Sequence, residues 1–306
     1  HSLDRRQRQM CIRDRLGIDL GGTKTELIVL DKNGKEVWRE RQATPSYSYT
    51  AILNRISEMI LTAEHKIGSI SSIGIGMPGS LMPETGLIQN SNTTVLNGKP
   101  FKIDIERLLS RPVRIENDAN CFTLSEAIDG AGKDYECVFG VILGTGCGGG
   151  IVLQRAIWKG RNLLGGEWGH NPLPWARQDD TPGLPCYCGK TGCMETYLSG
   201  TGLTAHHKSA TGENKSAKEI VNDKTEETDH SLSVYCDRLA RGLASVINIL
   251  DPSCIVLGGG LSNCDRIYET VPGLLQDYVF SDKFLTPVLK NVFGDASGVR
   301  GAAWLT

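Results

Sequence analysis

Between Pro185 and Thr196 the chain reads PCYCGKTGCMET, which places Cys186, Cys188 and Cys193 in a C-x-C-x₄-C spacing interleaved with Gly189 and Gly192. Thiolates at that density suit one soft or borderline cation, and the glycines let the backbone fold back around it. Tetrahedral zinc takes four ligands, so one more must come from elsewhere. Of the six histidines, His1 lies in a basic opening segment, and His65, His206, His207 and His230 stand in polar surroundings suited to solvent. His170 remains, among the small and rigid residues of GHNPLP, and a Cys₃His site forms if that loop turns back over the cysteines. Four protein ligands leave no open position for substrate or activated water, so such a zinc is structural. A disulfide within the cluster and plain reduced thiols are the alternatives. The first is disfavoured in a reducing compartment and leaves one of three cysteines unpaired.

Asp118 is the second chemical candidate. The strand VRIEND runs directly into the helical stretch ANCFTLSEAIDG, which sets this carboxylate at a strand's end and a helix's beginning. Beside Asn117 it can accept a hydroxyl proton while the amide fixes a neighbouring hydroxyl. The same position also suits a plain helix N-cap. Three glycine loops, DLGGTK, LGTGCGGG and LGGG, each follow a strand, where bare backbone N–H groups can approach anionic oxygens. One such loop is more often only a tight turn, and none matches the Walker pattern or an ideal G-x-G-x-x-G.

The elements that position these residues follow from periodicity. LGIDLGGTKTELIVLDKNGKEVWRERQAT alternates apolar runs with turn residues and predicts a β-meander opening at Leu16. A helix with Ile52, Ile56, Met59, Ile60 and Ala63 on one face follows, then the buried strand of SSIGIGMPGS. CVFGVILGTGCGGGIVLQRAIWKG repeats the opening pattern as a diverged copy, which points to two related lobes, each beginning with a glycine hairpin aimed at a cleft. Residues 16–128 are expected to form the first lobe, joined by a C-terminal helix over 296–306, and residues 129–295 the second, with the zinc loop. The basic residues 1–15 read as a tail or artefact.

Composition narrows the function classes. With 33 basic against 35 acidic residues, the chain has no surface built for a nucleic-acid backbone or an anionic membrane. No apolar run reaches the ~20 residues that span a bilayer, and no signal-peptide pattern is present, so a cytoplasmic protein is expected. Ten cysteines in a chain of 306 residues, several in apolar surroundings such as Cys121, Cys137 and Cys254, read mostly as small core residues.

DLGGTK, LGTGCGGG and LGGG together resemble the nucleotide-binding signatures of the actin, hexokinase and Hsp70 superfamily. With ENDAN, GEWGHNPLPW and CYCGKTGCMET they form a set similar to that of the ROK family (repressors, open reading frames, kinases), in order from Leu16 to GDASGVRGAAWL. The resemblance implies a two-lobed α/β, ribonuclease H-like fold with an ATP cleft between the lobes, whose closure excludes water. It assigns zinc to His170, Cys186, Cys188 and Cys193, and the base to Asp118. It lines a sugar site with Glu167, His170 and Glu195, His170 using one ring nitrogen for zinc and the other for sugar; Gly79, Asn117, Asp118 and the segment around Asn92 are expected to complete it, an ordinary loop being the alternative for Asn92 and Thr93. Asp19, Gly21, Gly22, Thr23 and Lys24 would handle Mg²⁺ and the phosphates. Gly144, Thr145 and Gly146 would cradle the β- and γ-phosphates, with Gly258, Gly259 and Gly260 near the adenosine. Trp168 and Trp175 suit stacking on a sugar or packing in core or lid. Cys147 interrupts the second glycine run and is expected as an exposed thiol beside ATP.

The motifs look most like those of fructokinases, with N-acetylglucosamine kinases second, so the expected reaction is ATP-dependent phosphorylation of D-fructose at C6. A homodimer is usual among similar proteins. A sugar-responsive repressor is disfavoured, because repressors of this kind carry a winged helix-turn-helix before the fold and only fifteen residues precede Leu16. A dinucleotide oxidoreductase is disfavoured because the first glycine loop enters a strand, TELIVL, and not a helix.

Overall fold

The computed structural model describes residues 14–305, so most of the expected tail, residues 1–13, lies outside the described residues. The chain divides into two compact units. One holds the residues up to Asp129 together with Gly160–Leu163 and the stretch from Asp295 onward, and the other holds Gly130–Lys159 and Leu164–Gly294.

The first unit is built on β1 (Arg15–Leu20), β2 (Lys24–Leu30), β3 (Glu36–Ala43), β4 (Ser72–Met77) and β7 (Arg114–Asn117), in the order β3-β2-β1-β4-β7. The first strand begins at Arg15, one residue before the expected Leu16, where Arg15 already pairs with Leu30 and Ser72; its guanidinium lies over the Trp304 ring. The meander β1–β2–β3 is antiparallel, while β4 and β7 run parallel to β1. Helix α1 (Tyr49–Ile67) buries Ile52, Leu53, Ile56, Met59, Ile60 and Ala63, and the Ser48 hydroxyl caps its start by accepting the Ala51 N–H at 3.3 Å. Each of the isoleucine, leucine and methionine side chains, taken fully out of water, stabilises the unit by about 1.5–3 kcal/mol. Two short strands, β5 (Ser80–Leu81) and β6 (Ile88–Gln89), form a separate hairpin, followed by α2 (Phe101–Leu109) and α3 (Asp118–Ile128).

The second unit repeats this plan. Strands β8 (Cys137–Leu143), β9 (Cys147–Leu153), β10 (Ala156–Ile157), β11 (Cys254–Gly258) and β12 (Val288–Lys290) are ordered β10-β9-β8-β11-β12, again an antiparallel meander, β8–β9–β10, continued on the β8 side by two parallel strands. The helices are α4 (Glu195–Leu198), α5 (Gly200–Thr211), α6 (Ala217–Asn222), α7 (Glu226–Leu250) and α8 (Asp265–Leu275). Leu232, Tyr235, Cys236, Leu239, Leu243 and Ile247 of α7 recur at helical spacing and form the middle of this unit's core. Among the described residues no helix is long and apolar enough to cross a membrane.

The last helix, α9 (Ser297–Ala303), returns to the first unit and lies directly on its sheet. Gly17 and Gly74 make that approach possible: a Cβ on either would collide with the α9 backbone carbonyls of Val299 or Ala302. Cys121 and Cys254 are buried as small core residues, as their apolar surroundings suggest, whereas Cys137, at the start of β8, is only partly buried.

Candidate active site

In the first unit the parallel strands deliver their ends to one place. Asp19 lies near the end of β1, Gly79 just after β4, and Asn117 and Asp118 where β7 becomes α3. The Asn117 side-chain oxygen accepts the Ala119 N–H at 2.9 Å, which makes Asn117 the cap. Asp118 is therefore the first residue of α3, and its Oδ1 shares the same N–H at 2.9 Å. The Asn117 amide also donates to the Gly79 carbonyl at 3.3 Å, which ties two expected sugar-site residues together. The turn over residues 21–24 is closed by the Gly21 N–H on the Lys24 carbonyl at 3.0 Å, and the Thr44 hydroxyl pins the Gly21 carbonyl at 2.7 Å. Gly22 faces the loop of Asn92 and Thr93: a Cβ there would stand 3.9 Å from Asn92 Oδ1 and 3.5 Å from Thr93 Oγ1. Thr23 and Lys24 are exposed.

This cluster is strongly acidic. Asp19 pairs across the ladder with Glu26, and its carboxyl is pushed up to about 7, first by burial, then by the charges of Asp118 and Glu26. Glu26 is itself buried and held by Arg39 Nε at 2.6 Å and Arg41 Nη2 at 2.7 Å. A cation beside such an acid favours its anion.

In the second unit, residues 144–146 form the turn between β8 and β9, closed by the Gly144 N–H on the Gly146 carbonyl at 3.0 Å. Gly259 lies against its backbone, since a Cβ there would be 2.9 Å from the Gly144 nitrogen, so the loop of Gly258, Gly259 and Gly260 meets the turn of Gly144, Thr145 and Gly146. The Glu195 Oε2 accepts the Cys147 N–H at 3.0 Å, and a Cβ on Gly146 would fall 2.8 Å from the same oxygen. Cys147 is not the exposed thiol expected. It is buried, and burial first and the Glu195 charge second push its thiol well above the ordinary range. Strand alternation turns its side chain into the core of the unit.

The Cys/His cluster assembles as anticipated from spacing. Ligand atoms of His170, Cys186, Cys188 and Cys193 all lie within 4.8 Å of one another, with His170 Nδ1 at 3.5 Å from Cys186 Sγ and Cys188 Sγ at 3.6 Å from Cys193 Sγ. A tetrahedron with metal–sulfur bonds of about 2.3 Å has edges of roughly 3.8 Å, so the donor set fits four-coordinate zinc. The sulfurs are too far apart for a disulfide bond, and all three cysteines are free. Gly189 and Gly192, with φ of 86° and 73°, make the reversals the loop needs.

Tyr187, between the first two cysteines, was not singled out from sequence. Its hydroxyl lies 2.9 Å from His170 Nε2, and its phenol is pushed up to about 12 by burial first, then by Glu195, with Glu167 contributing. His170 meets the Tyr187 hydroxyl with the nitrogen expected to face sugar. The signal was local: an aromatic residue flanked by two metal-ligand candidates.

The loop from His170 to Cys186 is anchored by a charge cluster that sequence reading missed. Asp180 is buried and accepts from Arg238 Nε and Arg241 Nη1, each at 2.8 Å, both on α7. Burial alone would raise its carboxyl, but the hydrogen bonds from Arg241, the Arg177 N–H and Arg238 outweigh it and hold the group below the ordinary carboxylate range. Trp175 stacks on Tyr278 at 5.5 Å in this anchor, and Trp168 is buried edge-on against Phe139 in the core. His207, expected in solvent, is buried on the inner face of α5 with Nδ1 2.8 Å from the Ser231 hydroxyl. His206 stacks on Tyr197, and burial, aided by Arg238, pushes it down to about 4.

The ROK family pattern matches residues 15–306. Sequence relatives include the N-acetyl-D-glucosamine kinase of Histophilus somni, 39% identical over 297 residues and covering 94% of this chain and 97% of that one. The N-acetyl-D-glucosamine kinase of Pectobacterium atrosepticum is 40% identical over 296 residues, covering 94% and 97%. Among solved structures, a ROK hexokinase from Thermus thermophilus superposes with a TM-score of 0.84 at 28% identity, covering 95% of this chain and 96% of that chain. A ROK glucokinase from Streptomyces griseus, solved with glucose and AMPPNP, gives 0.77 at 27% identity, covering 96% and 99%. With these structures the chain shares the two-lobed, actin/hexokinase-like α/β fold.

Proposed function

The chain belongs to the ROK family, and on that premise we propose that it is an ATP-dependent sugar kinase acting on N-acetyl-D-glucosamine. The observation that carries the substrate is the 39–40% identity to N-acetyl-D-glucosamine kinases over 94% of the chain. It favours the hexosamine over the fructose expected from the motifs.

Asp118 takes the proton from the sugar C6 hydroxyl, the freed oxygen bonds to the γ-phosphorus, and the bond from that phosphorus to the β-bridging oxygen breaks to release ADP. Gly79, Asn92 and Asn117 position sugar hydroxyls near this base. Glu167, His170 and Glu195 read further hydroxyls, and a site that bonds a hydroxyl in this way rejects analogues lacking it. Bound Mg²⁺ supplies charge that offsets the phosphates, and Asp19 is the residue that would hold it through water, with Gly21, Gly22, Thr23 and Lys24 lining the turn beside it. The turn of Gly144, Thr145 and Gly146 offers backbone N–H groups to the β- and γ-phosphates, and Gly258, Gly259 and Gly260 leave room for adenosine. Zinc on His170, Cys186, Cys188 and Cys193 supplies a rigid crosslink that keeps the sugar-reading residues ordered before sugar arrives.

The test is a coupled ADP-release assay with ATP and Mg²⁺ against N-acetylglucosamine, N-acetylmannosamine, glucose, mannose and fructose. The expected result is the highest kcat/KM for N-acetylglucosamine. A preference for fructose would overturn the substrate, and no turnover with any sugar would overturn the kinase.

A further inference from the structure

Immediately after the cysteine cluster, residues 195–201 touch the turn between β8 and β9 at three points. Glu195 Oε2 accepts the Cys147 N–H at 3.0 Å, the Gly200 N–H donates to the Gly144 carbonyl at 2.7 Å, and the Thr201 hydroxyl donates to the Thr145 carbonyl at 2.9 Å. Proton counting gives the last contact a direction. A hydroxyl has one hydrogen to donate, and Thr201 places its own on Thr145. The 2.9 Å contact between Ser199 Oγ and Thr201 Oγ1 is therefore donated by Ser199, whose oxygen in turn accepts the Gly202 N–H at 3.0 Å. The relay runs one way, from the Gly202 amide through two hydroxyls to the Thr145 carbonyl, and bonds aligned in this sense strengthen one another.

The helix does not require the last step. Ser199 alone caps α5, so the bond from Thr201 serves the turn and not the helix. Because a peptide is planar and trans, fixing the Thr145 carbonyl also fixes the Gly146 N–H, which points the opposite way. At the other end of the segment, the Glu195 N–H is held by the Gly169 carbonyl at 2.8 Å, and with Oε2 on Cys147 its Oε1 is left for a ligand.

We propose that Thr201 is a positioning residue for phosphoryl transfer, locking the phosphate turn to the segment that carries Glu195 so that sugar and nucleotide bind cooperatively. The proposal rests on the kinase reading above and deepens it. A sugar hydroxyl on Glu195 orders the carboxylate whose other oxygen holds Cys147, and the relay ties the same turn at Thr145. The second ligand then meets a turn already ordered, and by linkage the effect is reciprocal.

The experiment compares wild type, T201V and T201S. N-acetylglucosamine binding is measured by calorimetry with and without a non-hydrolysable ATP analogue, together with kcat and the KM for ATP. Wild type should bind sugar several-fold more tightly with the analogue present. T201V should bring that ratio close to one and raise the KM for ATP about fivefold, the effect of one lost hydrogen bond, with sugar affinity in the absence of nucleotide unchanged. T201S, which keeps the hydroxyl, should restore both. An active wild type whose sugar affinity ignores the analogue, a T201V protein with the wild-type ratio, or a folded T201S that behaves like T201V would each overturn the coupling alone. A wild type that phosphorylates no sugar overturns the kinase reading and the coupling with it.

Discussion

At the turn of the β1–β2 hairpin, Asp19 and Glu26 face each other across the ladder; at the matching register of the β8–β9 hairpin stand Ile142 and Gly148. The two hairpins occupy the same place in sheets of the same order. The first carries acids on the sheet itself: Glu26 is buried and held by Arg39 and Arg41, and the Asp19 carboxyl is pushed up to about 7, by burial first and then by the charges of Asp118 and Glu26. The second leaves its strand ends apolar or bare and gathers its polar groups on residues 164–201. That segment is gathered by the Cys/His cluster at one point and tied to α7 at another, where Arg238 and Arg241 hold Asp180. One architecture thus places its polar groups in two ways: acids on the sheet itself, and a loop gathered around a Cys/His cluster.

The largest effect that would sharpen this contrast comes from the first unit. If Asp118 is the base proposed above, D118N should lower turnover by about 10²–10⁴-fold, measured by ADP release at saturating sugar and ATP. Near-normal turnover would place the base elsewhere.

In the second unit the larger effect is on folding. D180N leaves Arg238 and Arg241 buried beside a neutral group and should cost about 3 kcal/mol in a denaturant titration. The pH dependence has a definite sign. The Asp180 carboxyl lies below its ordinary 3.8 in the folded chain, so its stabilisation is present above that value and lost as pH falls through the folded value. Wild type should therefore lose stability on acidification that D180N no longer has to lose. Parallel acid titrations of the two proteins would break the account of the loop anchor.

Metal removal should have the smallest effect on the fold and a selective one on recognition. Stripping the cluster with a chelator should weaken N-acetylglucosamine binding at least about tenfold while the chain remains folded by circular dichroism. Unchanged sugar affinity in verified metal-free protein would remove the cluster from recognition.

Much of this was legible from local sequence. The meander, the face of α1, the repeated glycine hairpin, Asp118 at a strand–helix junction and the cysteine spacing are all patterns within a few residues, where backbone period and turn chemistry leave few options. The remainder depends on partners distant along the chain. Asp180 finds Arg238 and Arg241 at separations of 58 and 61 residues, and no local pattern marks that pairing. The burial of Cys147 and His207 depends on which face of a strand or helix meets the core. The Thr201 relay needs the register of one loop on another. The substrate depended least on spacing: the same motifs suited fructose and N-acetylglucosamine, and similarity along the whole chain favoured the latter.

The division of labour between the units is tested most directly by titrating N-acetylglucosamine calorimetrically into D118N and into folded, metal-stripped wild type. The account predicts that D118N keeps sugar affinity within a few-fold of wild type and that the stripped protein loses at least about tenfold. The reverse pattern, with binding lost in D118N and intact without metal, would contradict it.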